Sequence, residues 1–134
     1  MKKYFIAYRH TGEDLMELEK RIHSVEIALA AKGIKAYATL FDEDQFIKNS
    51  YNAGQIMDRA FQKIAAMDGL FVLINGDEKS EGQLMEVGYA LALKKPVVVA
   101  RREGAKTYVN ELTNLSIEYS DFNDLSKKIM GLTL

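Results

Sequence analysis

Residues 69–74, Gly-Leu-Phe-Val-Leu-Ile, and the polar run that follows them mark the junction on which the fold depends. A short, unbroken apolar segment is typical of a strand buried on both faces of a parallel sheet. Residues 75–79, Asn-Gly-Asp-Glu-Lys, favour a loop. Ser80, followed three positions later by Gln83, predicts a capping box that opens a helix. This stretch therefore predicts a strand, a loop and a helix in succession.

Strands and helices alternate on both sides of this unit. Further strands are predicted at 4–8, 34–38, 96–100 and 115–119. The pattern predicts an α/β fold: one domain over 1–134, with three α/β/α layers around a five-stranded parallel sheet in the flavodoxin-like, Rossmann-like order 2-1-3-4-5.

The segments between the strands carry their own signals. Apolar residues at helical spacing predict a helix that Gly33 ends, and Asp121 is expected to cap the last helix. The helix after Ser80 is apolar nearly all round, which predicts cover on most sides. Residues 41–52 are polar and of mixed charge, and we expect an irregular loop over a site.

Composition narrows the class of protein. The chain has 134 residues, 48% of them hydrophobic, with a net charge of -1 and no cysteine. Such a charge offers no electrostatic attraction to nucleic acid polymers or an anionic membrane, so we expect neither as a partner. The absence of cysteine excludes disulfides and is compatible with a cytoplasmic location. His10 and His23 have no ligand-spaced partner, so no metal is expected.

Glu86 is the main candidate for chemistry. It lies in the first two turns of the predicted helix, near the edge of the sheet where open α/β folds bind ligands. A carboxylate among apolar neighbours is usually paired or functional. Two alternatives stay open on local grounds, since Ser80 is also a favoured cap and Glu86 a good helix former.

The loop after the first strand is a second candidate region. The guanidinium fork of Arg9 is suited to phosphate. The alternative is a solvated loop capped by Thr11.

The segment Gly82-Gln83-Leu84-Met85-Glu86-Val87-Gly88-Tyr89-Ala90, followed by Lys95-Pro96-Val97, resembles the signature of the nucleoside 2-deoxyribosyltransferase family. It is similar also to the related 2'-deoxynucleoside 5'-phosphate N-hydrolases. The resemblance implies that Glu86 is the catalytic nucleophile, which attacks the anomeric carbon of the sugar and releases the base. It also implies an enzyme that needs no cofactor.

The same resemblance implies roles for residues around Glu86. The N-hydrolases have a serine six residues before the glutamate, where Ser80 stands, and it binds the 5'-phosphate. Their first loop matches Tyr8 to a serine and His10 or Arg9 to an arginine. The remaining residues that the matching segments implicate in binding sugar, base or phosphate are Gly12, Gly82 and Tyr89.

Two departures from the family pattern concern the substrate contacts. The position of the sugar-binding aspartate falls on Ala60, and the nearest acid is Asp58, which is two residues out of register. The family completes its site with a serine from a neighbouring subunit, which Thr107 or Asn110 would replace here. The resemblance therefore implies a homodimer or higher homo-oligomer that acts on a small nucleoside or nucleotide.

A second resemblance competes with the first. Residues 4–9 together with Gly12-Glu13-Asp14 look like the opening of a TIR domain, which shares this topology. That resemblance implies either an NAD nucleosidase or a non-enzymatic interaction module in which Glu86 is structural.

Overall fold

The strand β3 (Gly69–Ile74) forms the centre of the sheet, and each of its six residues is buried. The computed structural model describes residues 1–134. The other strands are β1 (Lys2–Ala7), β2 (Ile34–Tyr37), β4 (Val97–Arg102) and β5 (Leu115–Tyr119). All neighbours pair in parallel in the order β2-β1-β3-β4-β5, which confirms the predicted flavodoxin-like fold.

Helices cover both faces of this sheet. They are α1 (Leu15–Ala31), α2 (Glu43–Lys48), α3 (Ala53–Ala66), α4 (Glu81–Ala92) and α5 (Phe122–Met130). One apolar core lies between the sheet and α1 and α5, and a second lies between the sheet and α3 and α4. Both faces of the central strands β1, β3 and β4 are therefore largely buried, as their apolar runs predict, whereas β2 and β5 at the edges alternate buried or half-buried residues with exposed ones. None of the helices has the length and apolarity of a membrane-spanning segment.

Residues 41–52 differ from the predicted irregular loop. A 3₁₀ turn over Thr39–Asp42 leads into α2, whose Phe46 is buried. The Tyr37 hydroxyl donates a 2.5 Å hydrogen bond to the Asp42 carboxylate, which also accepts one from Arg59 of α3 at 3.3 Å. These tertiary contacts give a polar segment a regular structure. No periodicity in the local sequence predicts them.

The helix caps agree with the prediction in part. Asp121 caps α5 as predicted, since its carboxylate accepts a hydrogen bond from the Asp124 backbone N–H. Asp14 rather than Thr11 caps α1. The reciprocal capping box opens α3, where Asn52 and Gln55 exchange hydrogen bonds. Ser80 caps α4, but the Gln83 side chain does not return to it.

The Gln83 side chain instead joins two strands. It is buried, and its amide nitrogen donates hydrogen bonds to the Ala7 carbonyl at 3.1 Å and the Leu73 carbonyl at 2.9 Å. These carbonyls lie near the ends of the adjacent strands β1 and β3. A buried amide with two such partners fixes the start of α4 relative to both strands.

The helix α4 leaves one narrow face to solvent. Its exposed residues Glu81, Met85, Gly88 and Ala92 form a single stripe, and its other eight residues are buried or half-buried, so the helix is covered on most sides as predicted. Its buried residues are Gln83, Glu86, Val87 and Ala90. Two polar side chains are thus among the four that face the protein interior.

Replacing Gln83 should destabilise the protein more than its position in a helix suggests. Gln83→Leu leaves two buried carbonyls without their donor, and we expect the free energy of unfolding to fall by about 2–4 kcal/mol. Urea unfolding followed by circular dichroism measures this loss. Gln62→Leu, at an exposed position of α3, is the matched control and should change stability by less than about 0.5 kcal/mol. Equal effects of the two substitutions would contradict the bridging role.

Candidate active site

Ser80 and Glu86 lie at opposite ends of the first two turns of α4. The Ser80 hydroxyl accepts a hydrogen bond from the Gln83 backbone N–H at 3.2 Å, which sets the start of the helix. Glu86 then faces inward and is 7% exposed. Because Gln83 holds this end of α4 against β1 and β3, Glu86 is positioned by the sheet itself.

Burial governs the ionisation of Glu86. It raises the pKa of the carboxyl to about 8, and neither a hydrogen bond nor a charged neighbour contributes to the shift. A buried carboxyl without a partner is costly to ionise. Its environment therefore differs from that of a solvated helix acid, and a perturbed acid of this kind is typical of functional sites.

The charge of Glu86 affects the pKa of the Tyr8 hydroxyl. Burial raises the pKa of this hydroxyl to about 12, with the negative charge of Glu86 as a further cause, while a hydrogen bond with Thr39 opposes the shift. The hydroxyl oxygens of Tyr8 and Thr39 are 3.0 Å apart. The end of β1 therefore brings a neutral hydroxyl into the electrostatic field of Glu86.

Two clefts lie near this pair: Tyr8 lines one of them, the start of α4 lines the other, and Glu86 lines neither. The Tyr8 cleft has a volume of about 210 Å³ and includes Tyr8, His10 and Thr39 in its lining. The Ser80 cleft has a volume of about 530 Å³ and includes Arg9, Ser80 and Gly82. Ile56 of α3 lines both clefts, so the two are neighbours on one side of the sheet. Together they offer enough room for a sugar with attached groups.

Arg9 is held by two carboxylates. Its guanidinium makes a 2.5 Å hydrogen bond to Glu78 and a 3.4 Å contact with Glu13. Gly12 lies directly beneath it, with a φ of +80°, and a Cβ there would come within 2.8 Å of the Arg9 Nη2. Glycine is favoured at this position for its backbone conformation and for the space it leaves to Arg9.

His10 is exposed and lies apart from Arg9. Its Nε2 atom is 3.4 Å from a carboxylate oxygen of Glu43. Of the two candidates for the family's arginine position, Arg9 therefore adjoins Ser80, whereas His10 adjoins Tyr8 and α2.

Three other predicted site residues lie away from these clefts. Asp58 is exposed on α3 and lines neither cleft. Tyr89 packs against Phe61, with ring centroids 4.9 Å apart, and therefore joins α4 to α3. Asn110 lies in a 3₁₀ turn over Val109–Leu112, where its Oδ1 atom is buried without a hydrogen-bond partner. Within one chain none of these residues forms a hydrogen bond with Glu86.

The structure also adds residues that the sequence did not single out. Met57 and Met85 give the Ser80 cleft an apolar wall, and Lys79 adds a positive charge to it. Thr39 and Phe46 line the Tyr8 cleft. The spacing of Asn52 and Gln55 is typical of a capping box and predicts the start of α3. It would therefore have predicted that Met57 lies in the first turns of this helix. No local signal indicates Thr39, whose contact with Tyr8 is tertiary.

No three histidine, aspartate or glutamate side chains come close enough together to hold a metal ion. The polar groups that line the clefts are hydroxyls, a guanidinium, an ammonium group and helix N–H groups, together with the His10 imidazole and the carboxylates of Glu43 and Glu81. These groups suit an anionic or hydroxylated small molecule.

Comparison with known proteins assigns the family. The model of the nucleoside 2-deoxyribosyltransferase family matches residues 11–127. The chain therefore belongs to this family, and it is an enzyme of the nucleoside N-glycosidase or 2-deoxyribosyltransferase type. This match decides between the two resemblances in favour of the first. No protein of curated function shows significant sequence similarity to the chain.

Solved structures share the fold over nearly the whole chain. A CMP N-glycosidase from Clostridium botulinum has 20% identity and a TM-score of 0.71, covering 98% of this chain and 100% of its own. A 2-deoxyribosyltransferase from Bacillus psychrosaccharolyticus has 18% identity and a TM-score of 0.68, with coverages of 92% and 90%. A conserved protein from Enterococcus faecalis has 16% identity and a TM-score of 0.65, with 98% of each chain covered.

The buried carboxyl makes stability depend on pH. The unfolded chain ionises Glu86 near its ordinary pKa of 4.5, whereas the folded chain keeps the proton up to about 8. The contribution of Glu86 to stability is therefore most favourable below the lower value and becomes less favourable as the pH rises towards the upper one. Glu86→Gln removes this loss, and at about pH 7 we expect it to be more stable than the parent by about 3 kcal/mol.

Urea unfolding of the parent and the variant at about pH 5 and about pH 7 measures this difference. Glu19→Gln, an exposed acid on α1, is the control and should follow the parent. A difference between Glu86→Gln and the parent that is independent of pH would contradict the raised pKa.

Proposed function

We propose that the protein cleaves the N-glycosidic bond of a (deoxy)nucleoside 5'-monophosphate or (deoxy)nucleoside, with Glu86 as the nucleophile. The observation that carries the proposal is the buried, unpartnered carboxyl of Glu86 at the junction of β1, β3 and α4. The family to which the chain belongs supports this class of reaction. One of the structural neighbours is described as a CMP N-glycosidase and another as a 2-deoxyribosyltransferase.

The proposed reaction has two steps. One Glu86 oxygen bonds to the anomeric carbon while the carbon–nitrogen bond breaks and its electron pair leaves with the base. Water or a second base then attacks the same carbon and releases the carboxylate. The first acceptor gives hydrolysis and the second gives transfer. The negative charge of Glu86 also stabilises the positive charge that develops on the sugar, which is greatest in the transition state.

The nucleophile must be ionised, whereas burial favours its protonated form near neutral pH. A bound substrate or a neighbouring group must therefore supply a hydrogen-bond donor or a positive charge. Tyr8 is a candidate for this group, because the charge of Glu86 is one cause of the raised pKa of its hydroxyl. We assign to Tyr8 the role of contacting Glu86 or the sugar.

The Ser80 cleft is the proposed phosphate site. Ser80, Gly82 and the N-terminal end of α4 face it, and Arg9 and Lys79 add positive charge. A helix N-terminus with these neighbours favours a phosphate group. His10 and Gly12 would serve this site indirectly, His10 from the wall of the Tyr8 cleft and Gly12 by leaving room for Arg9.

We further propose that the active form is a homodimer or higher homo-oligomer. Within one chain no group donates to Glu86, Asp58 is exposed, and the Asn110 side-chain oxygen is buried without a partner. A second copy that covers the exposed apolar face of α4, with Met85 and Leu93, would complete the site from outside. Sedimentation equilibrium of the purified protein measures its assembly state.

The direct test is release of free base. We expect chromatography to detect base after the protein is incubated with monophosphates or deoxynucleosides, and the rate to fall on the order of a thousandfold in Glu86→Gln. Glu19→Gln should retain full activity. A new nucleoside formed when a second base is added would identify a transferase.

The same assay can reject the proposal. Retained turnover in Glu86→Gln would exclude the nucleophilic role. Release of nicotinamide from NAD alone would assign the activity to the TIR-like alternative. If no base is released from any substrate, and Glu86→Gln binds a partner protein as the parent does, the results would favour an interaction module.

The phosphate assignment makes a separate prediction. Ser80→Gly keeps a tolerated cap but removes the hydroxyl, so we expect kcat/KM to fall about tenfold for a monophosphate and little for the matching nucleoside. The measurement is the ratio of the two kcat/KM values, which a general loss of stability would not change. An unaltered ratio would contradict the phosphate role of Ser80.

A further inference from the structure

A further polar cleft, termed here the Arg21 cleft, lies at the edge of the sheet where β4 and β5 end. It has a volume of about 180 Å³ and is lined by residues of α1, the end of β4 and the start of α5. Arg21 and Tyr119 belong to its wall, and Tyr119 is also part of the core between the sheet and α1 and α5. The Arg21 cleft shares no lining residue with the Tyr8 and Ser80 clefts. Asn75 and Arg102 also line a larger cleft of about 570 Å³ that includes Arg9 and Gln83.

Arg21 is the unusual residue of this cleft. It is 5% exposed, and its Nε atom is buried without a hydrogen-bond partner. The Glu17 carboxylate lies 3.9 Å from Nη2, and the centre of the Phe122 ring lies 5.5 Å from the guanidinium carbon. A guanidinium is always charged and has five N–H donors, so its burial without acceptors is costly. The cleft lacks the acceptor that this group requires.

The rest of the lining is suited to an anion. Arg102 borders the cleft and makes only a long, 3.4 Å hydrogen bond to Asn75. The Tyr119 hydroxyl makes contacts of 3.4 and 3.5 Å, which are also long. Asp121, a carboxylate on the same wall, is occupied in capping α5. The N-terminal end of α5 therefore adds its positive dipole to two guanidinium groups and a hydroxyl.

We propose that the Arg21 cleft binds a phosphate group, either as free phosphate or on a small phosphorylated metabolite, at a site separate from the Glu86 site. Arg21 and Arg102 would supply charge-assisted hydrogen bonds, and Tyr119 would supply a hydroxyl donor. The volume is below the ~300 Å³ at which sites for drug-sized ligands begin, which favours a compact oxyanion. The Glu17 carboxylate would compete with the bound phosphate for the Arg21 guanidinium.

The test follows the Nε–Hε resonance of Arg21 by NMR while inorganic phosphate, and separately ribose 5-phosphate, is added at constant ionic strength. We expect a saturable shift, with sodium chloride giving none. Arg102→Gln, at an exposed position, should weaken binding about tenfold or more. Tighter binding of ribose 5-phosphate would identify a phosphorylated metabolite as the ligand, and equal binding would identify free phosphate.

Three further variants separate this site from others. Glu17→Gln removes the competing carboxylate and should tighten binding, whereas Glu19→Gln on the same helix should have no effect. Ser80→Gly alters the proposed substrate site and should leave the Arg21 shift unchanged, even if the proposed activity fails. The inference is overturned if the Arg21 resonance does not saturate, or if Arg102→Gln and Glu17→Gln leave its response unaltered.

Discussion

The hydrogen bonds from the Gln83 side chain to the ends of β1 and β3 are the constraint on which the candidate site depends. In the strand order 2-1-3-4-5, the chain leaves these two neighbours towards opposite faces, with α1 on one side and α4 on the other. The strands separate at this point and leave a crevice. One amide nitrogen bonds to both sides of it, and the first turn of α4 is fixed there.

The position of Glu86 follows from this constraint. Three residues after Gln83, its side chain again faces the protein, but at a depth where no donor reaches it. The fold thus buries an acid at an energetic cost that packing elsewhere offsets. Such a cost is typical of sites arranged for a reaction rather than for stability. The apolar interior on both sides of the sheet provides the compensating stability.

Much of the fold could be predicted because its signals are local. The apolar run of β3, the stop at Gly33 and the cap at Asp121 each act within a few residues. The site was predictable only in part, because Ser80 and Glu86 share a helix whereas Thr39 and Met57 reach the clefts through tertiary packing. Gln83 shows the limit most clearly: its spacing from Ser80 indicates a cap, and the competing strand carbonyls lie far away in sequence.

The separation in sequence between Gln83 and Ala7, 76 residues, has a consequence for how the protein matures. Contacts of this range form late, because the loop between them must first be closed. Consider a chain in which α4 has packed on β3 but β1 has not yet joined the sheet. Ser80 and Glu86 would then lie on their helix, but the crevice between β1 and β3 would not exist. During synthesis β1 emerges first, but it cannot pair with β3 until β3 has also been made. Competence for chemistry should therefore appear together with the completed sheet, and a partly folded chain would have the residues of the site without its environment.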